Sequence, residues 1–122
     1  MSKCKQIIVI RRDLKMRRGK EIAQGCHASM KFLQEIAFNG EPVTEDVSEW
    51  FDNGTKKVCV TVETLEDLMW LHEKAKLLGL RSHYITDEGL TEFRGIHTIT
   101  CLAIGPNFSE QVDEVTKNLP LY

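Results

Sequence analysis

The chain contains 122 residues with a mass of 14.0 kDa, a length that predicts one domain over residues 1–122. Its contents of 42% apolar and 28% charged residues exclude a disordered or fibrous protein. No run approaches the roughly 20 apolar residues of a membrane span, and no secretory signal is recognisable, so we expect a cytoplasmic protein without membrane contact.

The net charge of −2 conceals two parts of opposite sign. Residues 1–20 contain eight Lys/Arg and one Asp, a net charge of +7, whereas residues 21–122 contain eight Lys/Arg and seventeen Asp/Glu, a net charge of −9. A short basic segment on an otherwise acidic protein attracts a polyanion at one place, which would orient a nucleic acid. A solvated surface loop would have the same composition, so both interpretations stand.

The four cysteines occur singly at positions 4, 26, 59 and 101, without a C-x-x-C pair. This spacing is typical neither of a zinc site nor of a disulfide framework. We therefore predict reduced, mostly buried thiols and no bound metal.

The first half of the chain predicts one strand followed by two helices. Residues 5–10 are apolar and β-branched, which is typical of a strand buried on both faces. A basic loop covers residues 11–18, and a helix then extends from Gly19 to a stop at Asn39-Gly40. A second helix, capped by Thr44, is predicted over residues 44–52.

The first helix carries two sets of residues at three- and four-residue steps. One set is apolar or small and predicts the stripe that faces the core: Ala23, Cys26, Met30, Leu33 and Ala37. The other predicts a polar face: Lys20, Gln24, His27 and Lys31.

The second half predicts three further strands and two helices. The predicted strands cover residues 57–63, 81–86 and 98–104, and the last of them is closed by Gly105-Pro106. The predicted helices begin at Thr64 and near Ser109, and they end at Leu78-Gly79 and at residues 118–120.

The order of elements, βααβαββα, restricts the fold to an α/β class. Strands 1, 2 and 3 are joined through helices, so we expect them to be parallel with right-handed crossovers. Strand 4 follows strand 3 without a helix, which predicts an antiparallel strand. The result is a three-layer α/β/α fold with a four-stranded mixed sheet, strand 4 antiparallel.

Polar residues converge at one edge of this predicted sheet. The basic loop and Lys20 follow strand 1, Asp87 ends strand 3, and Thr98 and Thr100 open strand 4 beside it. Ligands of open α/β sheets bind at the carboxyl ends of the strands, so we expect a polar, partly basic pocket there. The helix start at Gly19 offers free backbone N–H groups for a phosphate or an oxyanion, although a Walker A loop is absent.

Five segments carry a pattern over almost the whole chain. They are Arg12-Asp13-Leu14-Lys15-Met16-x-x-Gly19-Lys20-x-x-Ala23-Gln24-x-x-His27-Ala28, Lys74-Ala75-Lys76-x-Leu78-Gly79-Leu80, Asp87-x-Gly89-x-Thr91, Thr98-Ile99-Thr100-Cys101-Leu102-Ala103-Ile104-Gly105-Pro106 and Leu119-x-Leu121-Tyr122. In this order and spacing, the sequence resembles the archaeal/eukaryotic-type peptidyl-tRNA hydrolases, the second of two unrelated classes of that enzyme.

The resemblance implies an activity and a set of site residues. Enzymes of this family are α/β proteins, often homodimers, that hydrolyse the ester joining a peptide to the 3′ end of tRNA. The substrate and partner would thus be peptidyl-tRNA. The matching active-site positions are Lys20, Asp87, Thr91 and Thr100, with Gln24 and His27 in the motif of the first helix.

The sequence departs from the family pattern at several positions. Arg17 stands where the family usually has Gly, Glu21-Ile22 replaces a small apolar pair, and Gly25-Cys26 replaces a Cys-Ser-like pair. Residues 94–97 replace a Pro-Gly turn in a loop about one residue longer. Thr98 and Thr100 therefore compete as matches for one role.

Several site residues have a structural interpretation beside the functional one. A cation at a helix N-terminus is unfavourable by about 0.3–1 kcal/mol, which favours a functional role for Lys20. Asp87 would also cap a turn with Gly89. His27 fits a general base, an orienting group or a residue at the edge of the core equally well, and Gln24 fits a surface position.

Three functions stay open from the sequence. As an esterase on peptidyl-tRNA, the chain would use Asp87 to orient or deprotonate water and Lys20 to stabilise an oxyanion or bind a phosphate. The hydroxyls of Thr91 and Thr100 would hold the ribose or the water. We expect this chemistry to need no metal and no cofactor. The alternatives are a non-catalytic RNA-binding or adaptor module and a small-molecule or phosphate-binding domain that uses the helix start at Gly19-Lys20. In the first two cases the acceptor-stem backbone would lie on four basic residues, Arg12, Lys15, Arg17 and Arg18.

Overall fold

The computed structural model describes residues 3–89 and 93–122, which form four strands and four helices in the predicted order. The elements are β1 (Cys4–Arg11), α1 (Arg18–Asn39), α2 (Glu45–Asp52), β2 (Lys57–Val62), α3 (Leu65–Leu77), β3 (Ser82–Asp87), β4 (Thr98–Phe108) and α4 (Ser109–Thr116). Helix α1 ends at Gly40 in the left-handed conformation, as its sequence predicts.

The four strands of the described chain form one mixed sheet in the order β2-β1-β4-β3. Strand β1 pairs in parallel with β2, and Ile7 lies opposite Val58. Strand β4 lies between β1 and β3 and is antiparallel to both. Strands β1, β2 and β3 therefore run in one direction and β4 in the other, which confirms the predicted mixed sheet and leaves β3 at its edge.

Helices cover both faces of the sheet because successive side chains of β1 point to opposite sides. Ile7 and Val9 pack in a cluster with residues of α3 and α4, whereas Ile8 and Ile10 pack in another with Ala28 of α1. The predicted burial of β1 on both faces and the α/β/α arrangement are thus confirmed. Each described helix is too short or too polar to cross a bilayer.

The predicted core stripe of α1 is wrong. The residues that α1 buries are Glu21, Gln24, Ala28, Ser29 and Phe32. Of the predicted stripe, Leu33 is half-buried, and the others are exposed: Ala23, Cys26, Met30 and Ala37. The prediction of mostly buried thiols is confirmed for Cys4 and Cys101 and is wrong for Cys26 and Cys59, which are exposed. Cys26 is exposed because it belongs to the wrongly predicted stripe of α1.

The inward face of α1 is polar because its polar side chains find partners in the sheet. The hydroxyl of Ser29 donates to Oε1 of Gln6, 2.5 Å away, and Nε2 of Gln6 donates to the carbonyl oxygen of Ser29 at 3.0 Å. The hydroxyl of Thr100 likewise donates to Oε1 of Gln24 at 2.5 Å. Burial of a polar group costs little when its hydrogen bonds are made, so apolar periodicity alone identified the wrong face.

The predicted end of β4 also needs correction. Strand β4 continues past Gly105-Pro106 to Phe108, because pairing with β1 shifts between Lys5 and Ile7 and resumes at Asn107. A Cβ at Gly105, which has φ +97°, would lie 2.5 Å from the carbonyl oxygen of Lys5, so the strands approach closely there. At the start of α2, Thr44 is the N-cap residue as predicted, and its carbonyl oxygen accepts the Ser48 backbone N–H, but its hydroxyl donates to Asp46 and not to the helix backbone.

Candidate active site

An ion pair joins the start of α1 to the end of β3. Nζ of Lys20 donates to Oδ1 of Asp87 at 2.6 Å, and the two side chains are 15% and 10% exposed. The hydrogen bond from Lys20 lowers the pKa of Asp87 despite burial, and a hydrogen bond from the Gly89 backbone adds to the effect. Asp87 is therefore a carboxylate at neutral pH.

The turn that follows β3 fixes the second oxygen of Asp87. The backbone N–H of Gly89 donates to Oδ2 at 2.8 Å, which confirms that Asp87 caps this turn. A Cβ at Gly89, where φ is +81°, would lie 2.5 Å from the backbone nitrogen of Ile96. Only glycine fits this position, and hydrogen bonds connect the turn, the carboxylate and the ammonium group.

Beneath the ion pair, Gln24 and Thr100 form a buried hydrogen-bonded pair. Gln24 is 5% exposed and Thr100 is fully buried. The Thr100 hydroxyl donates to the Gln24 side chain, and Sγ of Cys101 contacts the Gln24 carbonyl oxygen at 3.2 Å. The interpretation of Gln24 as a surface residue is wrong, and burial raises the pKa of Cys101 to about 12.

The two threonines that compete for one role occupy different environments. Thr98 is half-buried at the start of β4, directly opposite Asp87 in the strand pairing, and its hydroxyl donates to the carbonyl oxygen of Ile96. Thr100 lies deeper and donates its proton to Gln24. Thr91 lies outside the described residues.

A cavity of about 500 Å³ lies between α1 and β3. Its walls consist of Lys20, Ala23, Gln24, His27, Ile85, Thr86, Asp87 and Glu88. The predicted convergence of Lys20, Gln24, His27 and Asp87 is thus confirmed. His27 is exposed on the wall of the cavity, which argues against a core-edge residue.

The residues that sequence reasoning missed are Ala23, Ile85, Thr86 and Glu88. Three of them adjoin Asp87 along the chain. For these three residues, the signal in the sequence was their position beside the end of a predicted strand.

The basic loop lies immediately before α1 and divides into an inward and an outward part. Arg11 is buried, with its guanidinium on Asp13 and on the carbonyl oxygen of Ile99 at 2.8 Å. Four basic residues are exposed: Arg12, Lys15, Arg17 and Arg18. They place positive charge beside the end of α1 that carries Lys20.

The C-terminal residues hold both the loop and the first turn of α1. The Tyr122 hydroxyl donates to buried Glu21, and the Arg12 guanidinium stacks 4.4 Å from the centre of the Tyr122 ring. The backbone N–H of Tyr122 donates to the Cys59 carbonyl oxygen at 3.0 Å, which fixes this end of the chain against β2. Glu21 and Tyr122 thus join the C-terminal end of the chain to the first turn of α1, next to Lys20. Their positions in the sequence did not indicate this contact.

Within residues 3–89 and 93–122, no three His, Cys, Asp or Glu side chains are arranged to hold a metal ion. Metal-independent chemistry stays a prediction.

The fold and site define a small α/β protein in which a buried Lys–Asp pair and a basic loop share one edge of a mixed sheet. The chain belongs to the family described as peptidyl-tRNA hydrolase PTH2, whose model matches residues 4–122. The resemblance noted from the sequence motifs is therefore confirmed.

Three archaeal relatives match the chain over nearly its whole length. A peptidyl-tRNA hydrolase of Methanopyrus kandleri is 46% identical over 117 residues, which cover 96% of this chain and 97% of the relative. Relatives of the same name from Methanothermobacter thermautotrophicus and Thermococcus sibiricus are 37% and 40% identical. Their alignments cover 96% and 99% of this chain and 98% and 99% of the relatives.

Proposed function

We propose that this chain hydrolyses the ester bond between the peptide and the 3′ end of peptidyl-tRNA at the Lys20–Asp87 pair. Membership of the peptidyl-tRNA hydrolase PTH2 family supports the activity. The observation that carries the location is the 2.6 Å ion pair on the wall of a cavity beside an exposed basic loop. The pair provides a cation and a carboxylate, and the loop beside it provides exposed positive charge.

Ester hydrolysis requires a water molecule to attack the acyl carbon and the ribose 3′ oxygen to leave with a proton. Negative charge develops on the acyl oxygen in the transition state, and a cation already fixed in place stabilises it without reorganisation. Lys20 has this role in our proposal. Its ammonium group is held by Asp87, whose second oxygen accepts the Gly89 backbone N–H.

Asp87 orients the attacking water, and His27 accepts its proton. The lowered pKa of Asp87 makes its carboxylate a poor proton acceptor but a good hydrogen-bond acceptor for water. The imidazole of His27 lies on the wall of the same cavity. The proton then passes to the 3′ oxygen of the ribose, and the products are a peptide carboxylate and free tRNA.

Thr98 and Thr100, which compete as matches for one family position, have different roles in our proposal. Thr100 is a positioning residue, since its hydroxyl holds Gln24 beneath the ion pair. Thr98 contacts the 3′-terminal ribose from its half-buried position opposite Asp87. Thr91 remains an active-site candidate on the resemblance alone.

The exposed basic residues of the loop bind the acceptor-stem backbone: Arg12, Lys15, Arg17 and Arg18. Phosphate contacts of this kind position a nucleic acid and supply affinity without reading its sequence. The loop thus sets the register in which the 3′ end reaches Lys20.

The experiment that tests the function is the release of free tRNA from N-acetyl-aminoacyl-tRNA by the purified chain. Aminoacyl-tRNA with a free amino group is the control, and we expect release from the acylated substrate only. Binding of tRNA without release would support the non-catalytic RNA-binding module instead. Competition of inorganic phosphate with the chain's ligand, but none by tRNA, would support a phosphate-binding domain.

We further propose that residues 1–122 form one domain that acts in the cytoplasm as a homodimer during translation. An apolar cavity of about 550 Å³ on the opposite flank of α1, beside exposed Ile22 and Met30, supports association with a second copy. Light scattering should give twice the chain mass, and Met30→Glu should give a monomer. A monomeric wild-type protein, or a tagged chain that fractionates away from the cytoplasm, would contradict these proposals.

A further inference from the structure

A groove continues from the cavity of the ion pair along α1. A second cavity of about 430 Å³ shares His27, Ile85 and Thr86 with the first. Its remaining walls are Lys31, Gln34 and Tyr84. The groove therefore runs from Lys20 toward the C-terminal end of α1, away from the basic loop.

Beyond the second cavity, a side-chain contact joins α1 to β3. Nε2 of His83 lies 2.8 Å from Oε2 of Glu35. Between this contact and Asp87 lie three residues of β3, at positions 84–86. At about 3.3 Å per residue, the stretch from Tyr84 to Asp87 is roughly 10 Å long, which matches about three extended residues.

One wall of the groove is a sheet edge. Strand β3 is the outermost strand of the described sheet, with β4 on its inner side. An edge strand presents backbone N–H and C=O groups to an added strand. Extended peptides bind proteins by pairing with such edges, with their side chains in adjacent pockets. Ile85 supplies apolar surface on the side of α1, and the 39% exposed Tyr84, whose ring contacts His72 of α3, supplies it on the other face of the sheet.

We propose that this groove binds the peptide part of peptidyl-tRNA as an extended strand alongside β3. This inference rests on the proposed function, because it places the ester at Lys20 and Asp87. Strand β3 runs from Tyr84 toward Asp87, and the peptide must bring its C-terminal carbonyl to Asp87. The peptide therefore runs parallel to β3, and the residues before the ester lie beside Thr86, Ile85 and Tyr84.

The charges around the groove favour a peptide over the tRNA. The exposed Glu88 lines the cavity near the ion pair, and Glu35, which contacts His83, lies beyond the second cavity. Both carboxylates repel a phosphate backbone, and among the described residues that line the second cavity Lys31 is the one Lys or Arg. The exposed cations of the basic loop lie at the opposite end of α1, so the two parts of the substrate extend in opposite directions from the ester.

Peptide length provides the test. We compare kcat/KM for N-acetyl-aminoacyl-tRNA and for a tetrapeptidyl-tRNA with the same last residue and the same tRNA. We expect the wild-type chain to favour the longer substrate by about tenfold, which corresponds to one or two net hydrogen bonds. Gln34→Trp, which fills the groove, should abolish this preference and leave the shorter substrate unaffected. Phe38→Trp, one turn further along α1 at an exposed position, is the matched control and should keep the preference.

A second substrate tests the pairing with β3 without any protein variant. Tetrapeptidyl-tRNA N-methylated at the penultimate and preceding residues cannot donate those backbone hydrogen bonds, and its kcat/KM should fall to that of the short substrate. Equal wild-type values for short and long substrates would overturn the inference and leave the proposed function intact. Equal slowing of both by Gln34→Trp, with an unchanged melting curve, would assign the groove to the tRNA and overturn it as well. No cleavage of either substrate would overturn the proposed function and the inference together.

Discussion

Nζ of Lys20 lies 2.6 Å from Oδ1 of Asp87, although the two residues are 67 positions apart in the chain. The start of a helix and the end of a strand bring them together, and both side chains are mostly buried. A pair in this environment has two separable effects, one on stability and one on catalysis.

Removal of one partner should destabilise the protein, whereas removal of both should not. Lys20→Met leaves a mostly buried carboxylate without its cation, which costs about 3 kcal/mol in the free energy of unfolding. The double variant Lys20→Met/Asp87→Leu removes both charges and should recover most of that loss while it remains inactive. Denaturant unfolding and tRNA release, measured on the same samples, separate the two effects. Recovery of activity in the double variant would contradict the catalytic role of the pair.

The stability contributed by Asp87 should depend on pH in the acidic range. Because the pKa of Asp87 is lower in the folded state than its ordinary value of 3.8, the contribution is complete above that value. It is lost as the pH falls through the folded-state pKa. Wild type should therefore lose more stability than Asp87→Asn between pH 5 and pH 2 in thermal melts. Asp13 and Asp46, whose pKa values are also lowered, contribute equally to both proteins. Parallel melting curves would show that the ion pair contributes nothing.

The proposed proton transfer to His27 should affect the chemical step. His27→Asn removes the proposed proton acceptor and should lower kcat, whereas Asp87, whose pKa is lowered, stays ionised between pH 5 and pH 8. Single-turnover tRNA release measures the effect. An unchanged kcat in the variant would exclude His27 as the proton acceptor.

The buried hydrogen bond between Thr100 and Gln24 should matter for both stability and rate. Thr100→Val removes the donor at nearly constant volume and leaves Oε1 of Gln24 buried without it, a loss of about 1–3 kcal/mol in unfolding free energy. We expect kcat to fall with KM nearly unchanged, since Gln24 lines the cavity beneath the ion pair. Thr100→Ser keeps the hydroxyl and should restore kcat. Failure of Ser to restore it would show that the methyl group, and not the hydrogen bond, is required.

The basic loop should act on affinity and not on the chemical step. Arg17→Ala/Arg18→Ala should raise KM and leave kcat nearly unchanged. The slope of log KM against log salt should fall by about 0.7–0.9 for each phosphate that the variant no longer neutralises. Lys117→Ala, at an exposed position after α4, is the control and should change neither value. An unchanged salt slope in the double variant would indicate a solvated loop.

Much of the fold was predictable because each element has a local signal. The β-branched run 7–10 predicted a central strand, and Thr64 predicted the start of α3, where its hydroxyl accepts the Asp67 backbone N–H at 3.1 Å. Topology alone then brought Lys20 and Asp87 to one sheet edge. Each of these signals depends on residues near each other in the chain.

The inward face of α1 was not predictable from apolar periodicity. It depends on partners distant in sequence, such as Gln6 for Ser29 and Thr100 for Gln24. Polar residues inside otherwise apolar strands, as Gln6 and Thr100 are, were the available signal that the covering helix supplies polar partners. The extension of β4 past Pro106 likewise depends on a register shift in β1 that no local pattern encodes.

The most direct test of the catalytic role of the Lys20–Asp87 pair is single-turnover cleavage of N-acetyl-aminoacyl-tRNA by wild type, Lys20→Ala and Asp87→Ala, with the Kd for the same tRNA measured in parallel. We predict cleavage by wild type, a fall of at least about 100-fold in both variants, and Kd values within a few-fold of each other. Variants that cleave at the wild-type rate, or whose cleavage falls only in proportion to weaker binding, would contradict the assignment of the chemistry to this pair.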